Sequence, residues 1–532
     1  MGKKGKKEKG RGAEKAANKL AKKDAKNDGM EDLEAMIAEF KEIDRKRTTF
    51  NEEKSSHPSP RSNLSVVAHP EKDELILFGG EYFNGRKTFV YNDTFVYSIK
   101  KNEWTKQLIP QAPPPRCAHQ AVAVSKEGGQ MWIFGGEFAS PNNAQFYHYK
   151  DLWVLSLKDH KWEEIKASGG PSQRSGHRMA VYKKSIFVFG GFHESSKNFL
   201  YFNDCFTFSL TEYKWTKLTV GGNGPSPRSA CQLTVTPNGI LVVGGYSKVK
   251  LKKDLEKGSA HTDMFLLADD ISGKFKWSQV KDSGNKPWPR SNFSLTQMAP
   301  NRAVMFGGVC DEDLEEDIDS YFFNSLHCID LVSYRWFNLD LRKPKVQKKN
   351  KSAESDIGSN DDPNTATNTD EDPTTSDSQP DKPHTFLLPC ARMNANIVLK
   401  KNYLFVYGGV FEEKEKQVTL NDLWSIDVKK MDEWKQIVEA DDTSKDWMEE
   451  EDEEDSDESD EEPHSSTNDT NNGEGDAKSK PCVLGGESFD EFWARTSEQW
   501  LEEASSMAEE DIRADETRRT AKNNAKVLFF GT

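Results

Sequence analysis

The chain has 532 residues, 35% hydrophobic and 30% charged, and this composition excludes a single compact domain that uses the whole length. The formal net charge of −15 is concentrated in separate segments, so folded and unfolded parts are expected to alternate. No apolar run reaches the length of a transmembrane helix, and the N-terminus lacks the apolar segment of a secretory signal. The seven Cys contain no Cys-x-x-Cys pair, so we expect thiols in a cytoplasmic and/or nuclear protein that is not secreted.

Residues 1–57 are predicted to form a basic disordered tail followed by a short amphipathic helix. Residues 1–29 contain 11 Lys/Arg and four Asp/Glu. Such a tail can contact RNA, ribosomes, DNA or an acidic partner, because these contacts are electrostatic and need little structure. No aromatic residue lies among the lysines, so stacking on bases is not supported.

The helix is predicted within the stretch "DLEAMIAEFKEI". Its apolar residues recur at i, i+3, i+4 and i+7, namely Leu33, Met36, Ile37 and Phe40. This apolar face packs either on the protein's own folded domain or on a partner.

One pattern recurs six times between residues 58 and 440. Each copy has an apolar run that ends in two glycines: Gly79-Gly80, Gly135-Gly136, Gly190-Gly191, Gly244-Gly245, Gly307-Gly308 and Gly408-Gly409. An Arg precedes each pair by 16–19 residues: Arg61, Arg116, Arg174, Arg228, Arg290 and Arg392. A Trp follows each pair by 24–32 residues: Trp104, Trp162, Trp215, Trp277, Trp336 and Trp434. The last spacing is longer because residues 347–384, rich in Ser, Thr, Asp, Asn and Pro, form a predicted disordered insertion.

A period near 55 residues with strand patterning predicts one small antiparallel sheet per repeat. Such a sheet cannot bury both faces alone, so the copies stack radially into a β-propeller. The order Pro-Arg, strand, Gly-Gly, loop, strand, Trp resembles the kelch repeat over roughly residues 58–440. The resemblance implies an all-β fold, a six-bladed kelch β-propeller. All six repeats are in register, so blade six is expected to contact blade one without strand exchange.

The loops of one end of this propeller are the predicted binding surface. With strands A to D in chain order within a blade, the B–C loops and the D–A loops open at the same end, where kelch relatives often bind ligands. The first three B–C loops are rich in aromatic residues, which are common interface anchors. The candidate partner-binding residues are Tyr82, Phe83, Phe138, Tyr147, His148, Tyr149, Phe192, His193, Tyr201, Phe202, Arg116 and Arg174.

A structural explanation of the same residues stays open. The aromatic side chains can fold back as small cores over the propeller edge, and an Arg in every blade can tie loops to backbone carbonyls. His119 and His177 are interpreted as packing residues of the repeat. The fourth B–C loop has five Lys and two acidic residues, and the fifth has seven acidic residues, so these neighbours can pair with each other.

No motif for catalysis is present: the chain lacks a Walker A loop, a dinucleotide-binding glycine motif, His-Glu-x-x-His and Gly-x-Ser-x-Gly. Cys310, His327 and Cys328 are near one another in sequence, but an acidic loop separates them and no metal site is predicted. No catalytic residue, cofactor or metal is therefore predicted, and the chain is expected not to be an enzyme.

The C-terminal part is predicted as an acidic disordered tract, 441–480, and a helical segment, 481–532. Residues 441–463 contain 15 Asp/Glu and one Lys, a charge density that opposes folding. Ser488 and Glu491 form a capping box at the start of a helix with an aromatic stripe. The stripe needs a surface on the propeller or on a partner.

These features together predict a non-catalytic, monomeric protein–protein interaction scaffold with no membrane contact. Its protein partner, of unknown identity, binds on the B–C/D–A loop face. One alternative is an RNA- or ribosome-associated factor that acts through residues 1–29. A second alternative is a propeller-type oxidase.

Overall fold

A computed structural model describes residues 33–142, 145–194, 199–252, 255–313, 318–342, 387–413, 416–442 and 493–497. The predicted basic tail, 1–29, and the predicted insertion, 347–384, lie outside these ranges. So does most of the acidic tract and of the C-terminal segment, namely 443–492 and 498–532. In the described ranges, residues 33–46 form helix α1 and residues 493–497 are helical. Neither of these helical stretches is long and apolar enough to span a bilayer.

The strands form six blades, each built on four antiparallel strands, which confirms the predicted six-bladed β-propeller. Blade one comprises β1 (Asn51–Ser55), β2 (Ser65–Ala68), β3 (Glu74–Phe78), β4 (Glu81–Phe83), β5 (Thr88–Val90), β6 (Thr94–Ser98) and β7 (Glu103–Leu108). Its sheet order is β1-β7-β6-β3-β2, and β4 and β5 form a separate hairpin above the sheet. Strand β1 precedes the repeat in sequence and adds a fifth strand to the outer edge of blade one.

Blades two and three each have a four-stranded sheet and a separate two-stranded hairpin. Blade two comprises β8 (Gln120–Val124), β9 (Gln130–Phe134), β10 (Glu137–Ala139), β11 (Phe146–His148), β12 (Leu152–Ser156) and β13 (Lys161–Ile165). Blade three comprises β14 (Arg178–Tyr182), β15 (Ser185–Phe189), β16 (Phe192–Glu194), β17 (Phe199–Tyr201), β18 (Cys205–Ser209) and β19 (Lys214–Lys217). The hairpins are β10–β11 and β16–β17.

Blades four to six complete the ring. Blade four comprises β20 (Val220–Gly221), β21 (Gln232–Thr236), β22 (Gly239–Lys252), β23 (Leu255–Asp269) and β24 (Phe275–Val280). Blade five comprises β25 (Ser283–Gly284), β26 (Ser294–Ala299), β27 (Arg302–Phe306), β28 (Val309–Asp313), β29 (Ile318–Phe322), β30 (Leu326–Asp330) and β31 (Arg335–Asn338). Blade six comprises β32 (Asn396–Lys400), β33 (Tyr403–Glu413), β34 (Lys416–Asp427) and β35 (Lys435–Val438).

The core lies between the blades. The B strands β9 and β15 are continuous apolar runs because neighbouring blades cover both faces of each sheet. All six repeat Trp are buried, and Trp162 joins Ile76 and Phe78 of blade one to the core of blade two. Each repeat therefore contributes one large aromatic anchor to an interface between blades.

The Gly pairs are explained by close contact between successive blades. Both glycines of the second pair have positive φ, 62° at Gly135 and 91° at Gly136. The backbone N–H of Gly136 donates to the carbonyl of Arg174 in the next blade, at 2.9 Å. A Cβ atom at Gly136 would come within 2.6 Å of the carbonyl oxygen of Cys117. A side chain at this position would therefore clash with the backbone.

The ring closes where blade six meets blade one. Strand β32 lies beside β2, and the cores of the two blades merge around Tyr407 and Leu77. At this junction, the buried amide of Asn421 donates to the carbonyl of Pro58 at 3.0 Å and to Asp441 Oδ2 at 2.7 Å. The two ends of the propeller chain are thus held at one side chain, and every strand of blade six comes from residues 396–438.

Candidate protein-interaction face

The repeated Arg side chains are buried beneath the loops of this face. Arg116 donates from Nη1 to the carbonyl of Gly135 at 3.1 Å and to Asp151 Oδ1 at 2.7 Å. Its guanidinium also lies over the ring of Tyr149, 4.0 Å from the centroid. Burial opposes the charge of Asp151, but the charge of Arg116 holds the pKa of that carboxyl below its usual range. Each Arg therefore fixes the Gly pair of its own blade to the start of strand C.

Five blades repeat this arrangement with an Asp directly before the part of strand C that lies in the four-stranded sheet; in blades four and six this Asp lies within the long strands β23 and β34. The pairs are Arg61–Asp93, Arg116–Asp151, Arg174–Asp204, Arg228–Asp263 and Arg392–Asp422. The sequence analysis missed these Asp, although the recurring "YND", "YKD", "FND", "HTD" and "LND" before strand C could have revealed them. Blade five differs: Arg290 donates to Ser325 Oγ at 3.0 Å, and burial lowers the pKa of Arg290 to about 10.

Six B–C hairpins stand at this end of the propeller, and we call this end the hairpin face. They are β4–β5, β10–β11, β16–β17, β28–β29 and the far ends of β22–β23 and β33–β34. The N–H of Thr88 donates to the carbonyl of Pro141 at 2.8 Å, which joins hairpins one and two. The N–H of Glu194 donates to His148 Nε2 at 3.1 Å, which joins hairpins two and three. These three hairpins form a continuous wall.

The candidate aromatic residues of hairpins two and three meet inside this wall. His148 lies 4.7 Å from His193 and 5.6 Å from Phe192, centroid to centroid, and Phe192 contacts Tyr201 at 5.9 Å. The guanidinium of Arg174 lies over the ring of Phe202, 4.1 Å from the ring centroid. Tyr82 and Phe83 of hairpin one are half-buried, and Arg116 and Arg174 are fully buried. Most of these side chains therefore contribute to the packing of the wall.

A largely buried carboxyl, that of Glu137 with its side chain 13% exposed, lies at the base of hairpin two. Glu137 accepts a hydrogen bond from Ser175 Oγ at 2.7 Å, and its Oε2 lies 3.4 Å from His148 Nδ1. Burial, and then the neighbouring carboxylate of Glu81, raises the pKa of Glu137 to about 8. Burial lowers the pKa of His148 to about 3, so this imidazole is neutral. The pair is therefore uncharged near neutral pH.

Helix α1 covers a second part of the hairpin face. Leu33 and Ile37 pack on Phe138 and Tyr149, with Tyr147 at the edge of the contact. The ring of Phe40 meets that of Phe138 edge-on at 5.9 Å. Of the two sites left open for this helix by the sequence, the structure shows the one on its own propeller. The candidates Phe138 and Tyr149 are thereby only 3% exposed.

The exposed apolar side chains of this end were not among the sequence candidates. Phe89 of hairpin one is 46% exposed, Leu200 of hairpin three 57%, and Trp288 of the D–A loop before blade five 63%. Phe89 is paired with Tyr82 and Leu200 with His193, at the centre of their short strands. Alternation along these strands turns the central residue away from its neighbours. This alternation could have predicted the exposed residues from the sequence, but only if the register of the short strands were known.

The described part of the chain contains no cluster of three or more His, Cys, Asp or Glu arranged to hold a metal ion. Its six Cys are thiols, four of them buried in the blades.

Comparison with known proteins places this architecture in a family. The chain matches the family described as "KLHDC2/KLHL20/DRC7 Kelch-repeats domain" over residues 66–308 and 171–355. The chain belongs to the kelch-repeat family. The buried Arg, the Gly pairs and the Trp are thus the repeating elements of a kelch propeller, and the family match begins in β2.

The curated relatives match between half and three fifths of this chain. The chain is 27% identical over 281 residues to a leucine-zipper-like transcriptional regulator 1 homolog of Drosophila melanogaster, covering 52% of this chain and 26% of the relative. It is 28% identical over 312 residues to host cell factor of the same organism, covering 53% of this chain and 19% of that relative. It is 26% identical to human leucine-zipper-like transcriptional regulator 1, covering 59% and 34%. The chain thus spans about a fifth to a third of the lengths of these relatives.

Among solved structures, one titled "Structure of YjhT" superimposes with a TM-score of 0.45 at 12% identity. The superposition covers 71% of this chain and 98% of the other.

Proposed function

We propose that this kelch propeller is a non-catalytic interaction scaffold that binds a protein partner on the hairpin face. The observation that carries the proposal is the exposure of Phe89 and Leu200 at the centres of hairpins one and three. Apolar side chains exposed on linked hairpins of one face can be buried together by a partner, and a few such anchors supply most of the free energy of binding in protein interfaces. The relatives named as transcriptional regulators and as host cell factor are consistent with this role.

The contacts that fix these hairpins to the propeller support the proposal. The buried Arg–Asp pairs fix the ends of the hairpins to the blades, and hydrogen bonds join hairpins one to three. A rigid arrangement of loops loses little conformational freedom on binding, which favours affinity. The same end also presents Trp288, so the exposed apolar residues come from several blades.

The test is a double substitution, Phe89→Asp with Leu200→Asp. The matched control is Ile271→Asp with Val332→Asp, two exposed apolar residues in the C–D turns at the opposite end of the propeller. Affinity purification from cells, with thermal unfolding of each protein, is the measurement. The hairpin variant should lose its partners with an unchanged midpoint, and the control should keep them. Retention of every partner by the hairpin variant would refute the proposal.

The same purification distinguishes the proposed function from its two alternatives. Loss of partners only on deletion of residues 1–29, with binding to RNA that weakens as salt rises, would favour an RNA- or ribosome-associated factor. A metal or chromophore that copurifies with the protein would favour the oxidase.

We also propose a closer relationship inside the family. The stretches "HPEKDELILFGGEYFNGRKTFVYND" and "GGEFASPNNAQFYHYKDLWVL" resemble kelch domain-containing protein 4 of eukaryotes, as does "MGKKGKKEKGRGAEK" at the N-terminus. The resemblance suggests an orthologue that works in the cytoplasm and/or nucleus. A phylogeny of kelch propellers that groups this chain elsewhere would contradict the relationship.

A further inference from the structure

We propose that the groove under α1 is a binding site for an amphipathic helix of a partner protein, which α1 occupies in cis until the partner helix replaces it. The groove, defined by Val90, Asn92, Phe138, Tyr147 and Tyr149, lies between the first two hairpins and the D–A loop of residues 109–116. The proposal rests on the proposed function, because it names the kind of partner that part of the hairpin face accepts.

The floor of the groove sets the apolar pattern of its ligand. Leu33 and Ile37, one helical turn apart, are each less than 5% exposed against Phe138 and Tyr149. Phe40 follows at i+7 and closes the contact on the ring of Phe138. Side chains at i, i+4 and i+7 lie along one face of a helix, so a partner with large apolar residues at this spacing fits the same surface.

A hydrogen bond at the far end of the groove further restricts which helices fit. Asp44, eleven residues after Leu33, is 4% exposed and accepts a hydrogen bond from Asn92 Nδ2 at 2.7 Å. Arg47 Nη1 of the same chain pairs with Asp44 Oδ1 at 2.8 Å, and the N–H of Gln111 donates to the Asp44 carbonyl. The Asn92 amide also donates to the carbonyl of Pro113 at 3.1 Å, so an acidic residue at i+11 accepts the second of its two hydrogen bonds. An apolar residue at i+11 would remove that second hydrogen bond.

The contact of α1 is small enough to be displaced. Its apolar cluster is separate from the cores between the blades, and Ile43 on the same helix is 45% exposed. A helix of 14 residues is marginal in water by itself, so much of the free energy of docking is offset by the ordering of the helix. A partner helix that contacts the groove more favourably therefore shifts the equilibrium toward released α1.

The test uses the full chain and a fluorescent peptide of residues 31–48. In the release variant, Leu33→Asp with Ile37→Asp, α1 leaves the groove and the peptide binds from solution. In the unaltered chain α1 competes at high effective concentration, so peptide binding should be weaker by roughly tenfold or more. Two controls define the site: the peptide with Ile37→Asp should not bind, and Asn92→Leu in the release variant should weaken binding about tenfold.

Binding that is absent from the release variant, equal in both chains, or insensitive to Ile37→Asp in the peptide would overturn the proposal. Should the release variant show a lower midpoint for the whole propeller, the milder Ile37→Ser replaces it. Hydrogen exchange of α1 in the unaltered chain with excess peptide then gives the answer, because displacement must speed exchange in residues 33–46. The loss of partners in the Phe89→Asp with Leu200→Asp variant is measured independently. If the peptide does not bind in the groove, the proposed function of the hairpin face is therefore still open to its own test.

Discussion

In the described part of blade five, the buried Arg has no carboxylate partner like those of the other five blades, and the substitution Ser325→Asp should supply one. The guanidinium of Arg290 is 4% exposed and lies 3.5 Å from the centroid of Phe323. Its hydrogen-bond acceptors are the carbonyls of Trp288 and Gly307 and the hydroxyl of Ser325. Among the residues that the structure describes, this charge is thus buried against neutral oxygens alone.

The magnitude follows from the pKa of Arg290. Burial depresses this pKa from its usual value to about 10, which corresponds to about 3 kcal/mol of unfavourable free energy in the charged guanidinium. A carboxylate at position 325 offsets this cost but must itself be desolvated. We therefore expect a net gain of about 1–2 kcal/mol in the free energy of unfolding. The reverse change in blade two, Asp151→Ser, leaves the buried Arg116 unpaired and should cost about 3–5 kcal/mol.

Urea denaturation followed by Trp fluorescence measures both changes at neutral pH. Ser325→Asn is the matched control, since it has the shape of Asp without the charge and should give no gain. The reasoning is refuted if Ser325→Asp is no more stable than Ser325→Asn, or if Asp151→Ser unfolds at the same urea concentration as the unaltered chain.

Three further predictions concern the interior of the propeller. Protonation of Glu137 in the folded state stabilises the protein fully below about pH 4.5, and this stabilisation is lost as the pH rises through about 8. Glu137→Gln should therefore raise the thermal midpoint more at pH 8.5 than at pH 5.5, and an equal shift at both would contradict the assignment. Trp162→Ala should cost about 3–5 kcal/mol in urea unfolding, and an unchanged transition would show that the anchor is dispensable. Asn421→Ala should cost about 1–3 kcal/mol and speed proteolysis near Pro58, whereas unchanged cleavage would exclude a role in closing the ring.

The fold could be predicted from the sequence because the repeat marks the places where each blade contacts the next. The glycines are required by backbone contacts closer than a Cβ atom permits, and Trp162 and its counterparts by the core between blades. His119 and His177 are fully buried, in agreement with their interpretation as packing residues. Contacts within each repeat determine the Gly and Trp positions, so the Gly pair and the Trp each recur six times.

The residues of the candidate site were harder to predict, because their exposure depends on the register of short strands and on where α1 docks. The aromatic content of the hairpins was evident, but the exposure of Phe89 rather than Phe138 follows from the pairing of three-residue strands and from the position of α1. The apolar face of α1 was predicted, whereas its receptor lies some hundred residues away in sequence. The Asp partners of the buried Arg were visible in the sequence and were overlooked.

The most direct measurement of the central claim is site-specific photo-crosslinking in cells. A benzophenone amino acid is placed at Phe89 or Leu200 on the hairpin face, and at Ile271 or Val332 on the opposite end. The account predicts that both hairpin positions crosslink to the same protein and that the opposite positions do not. Crosslinks to that protein from Ile271 or Val332, with none from the hairpins, would contradict it.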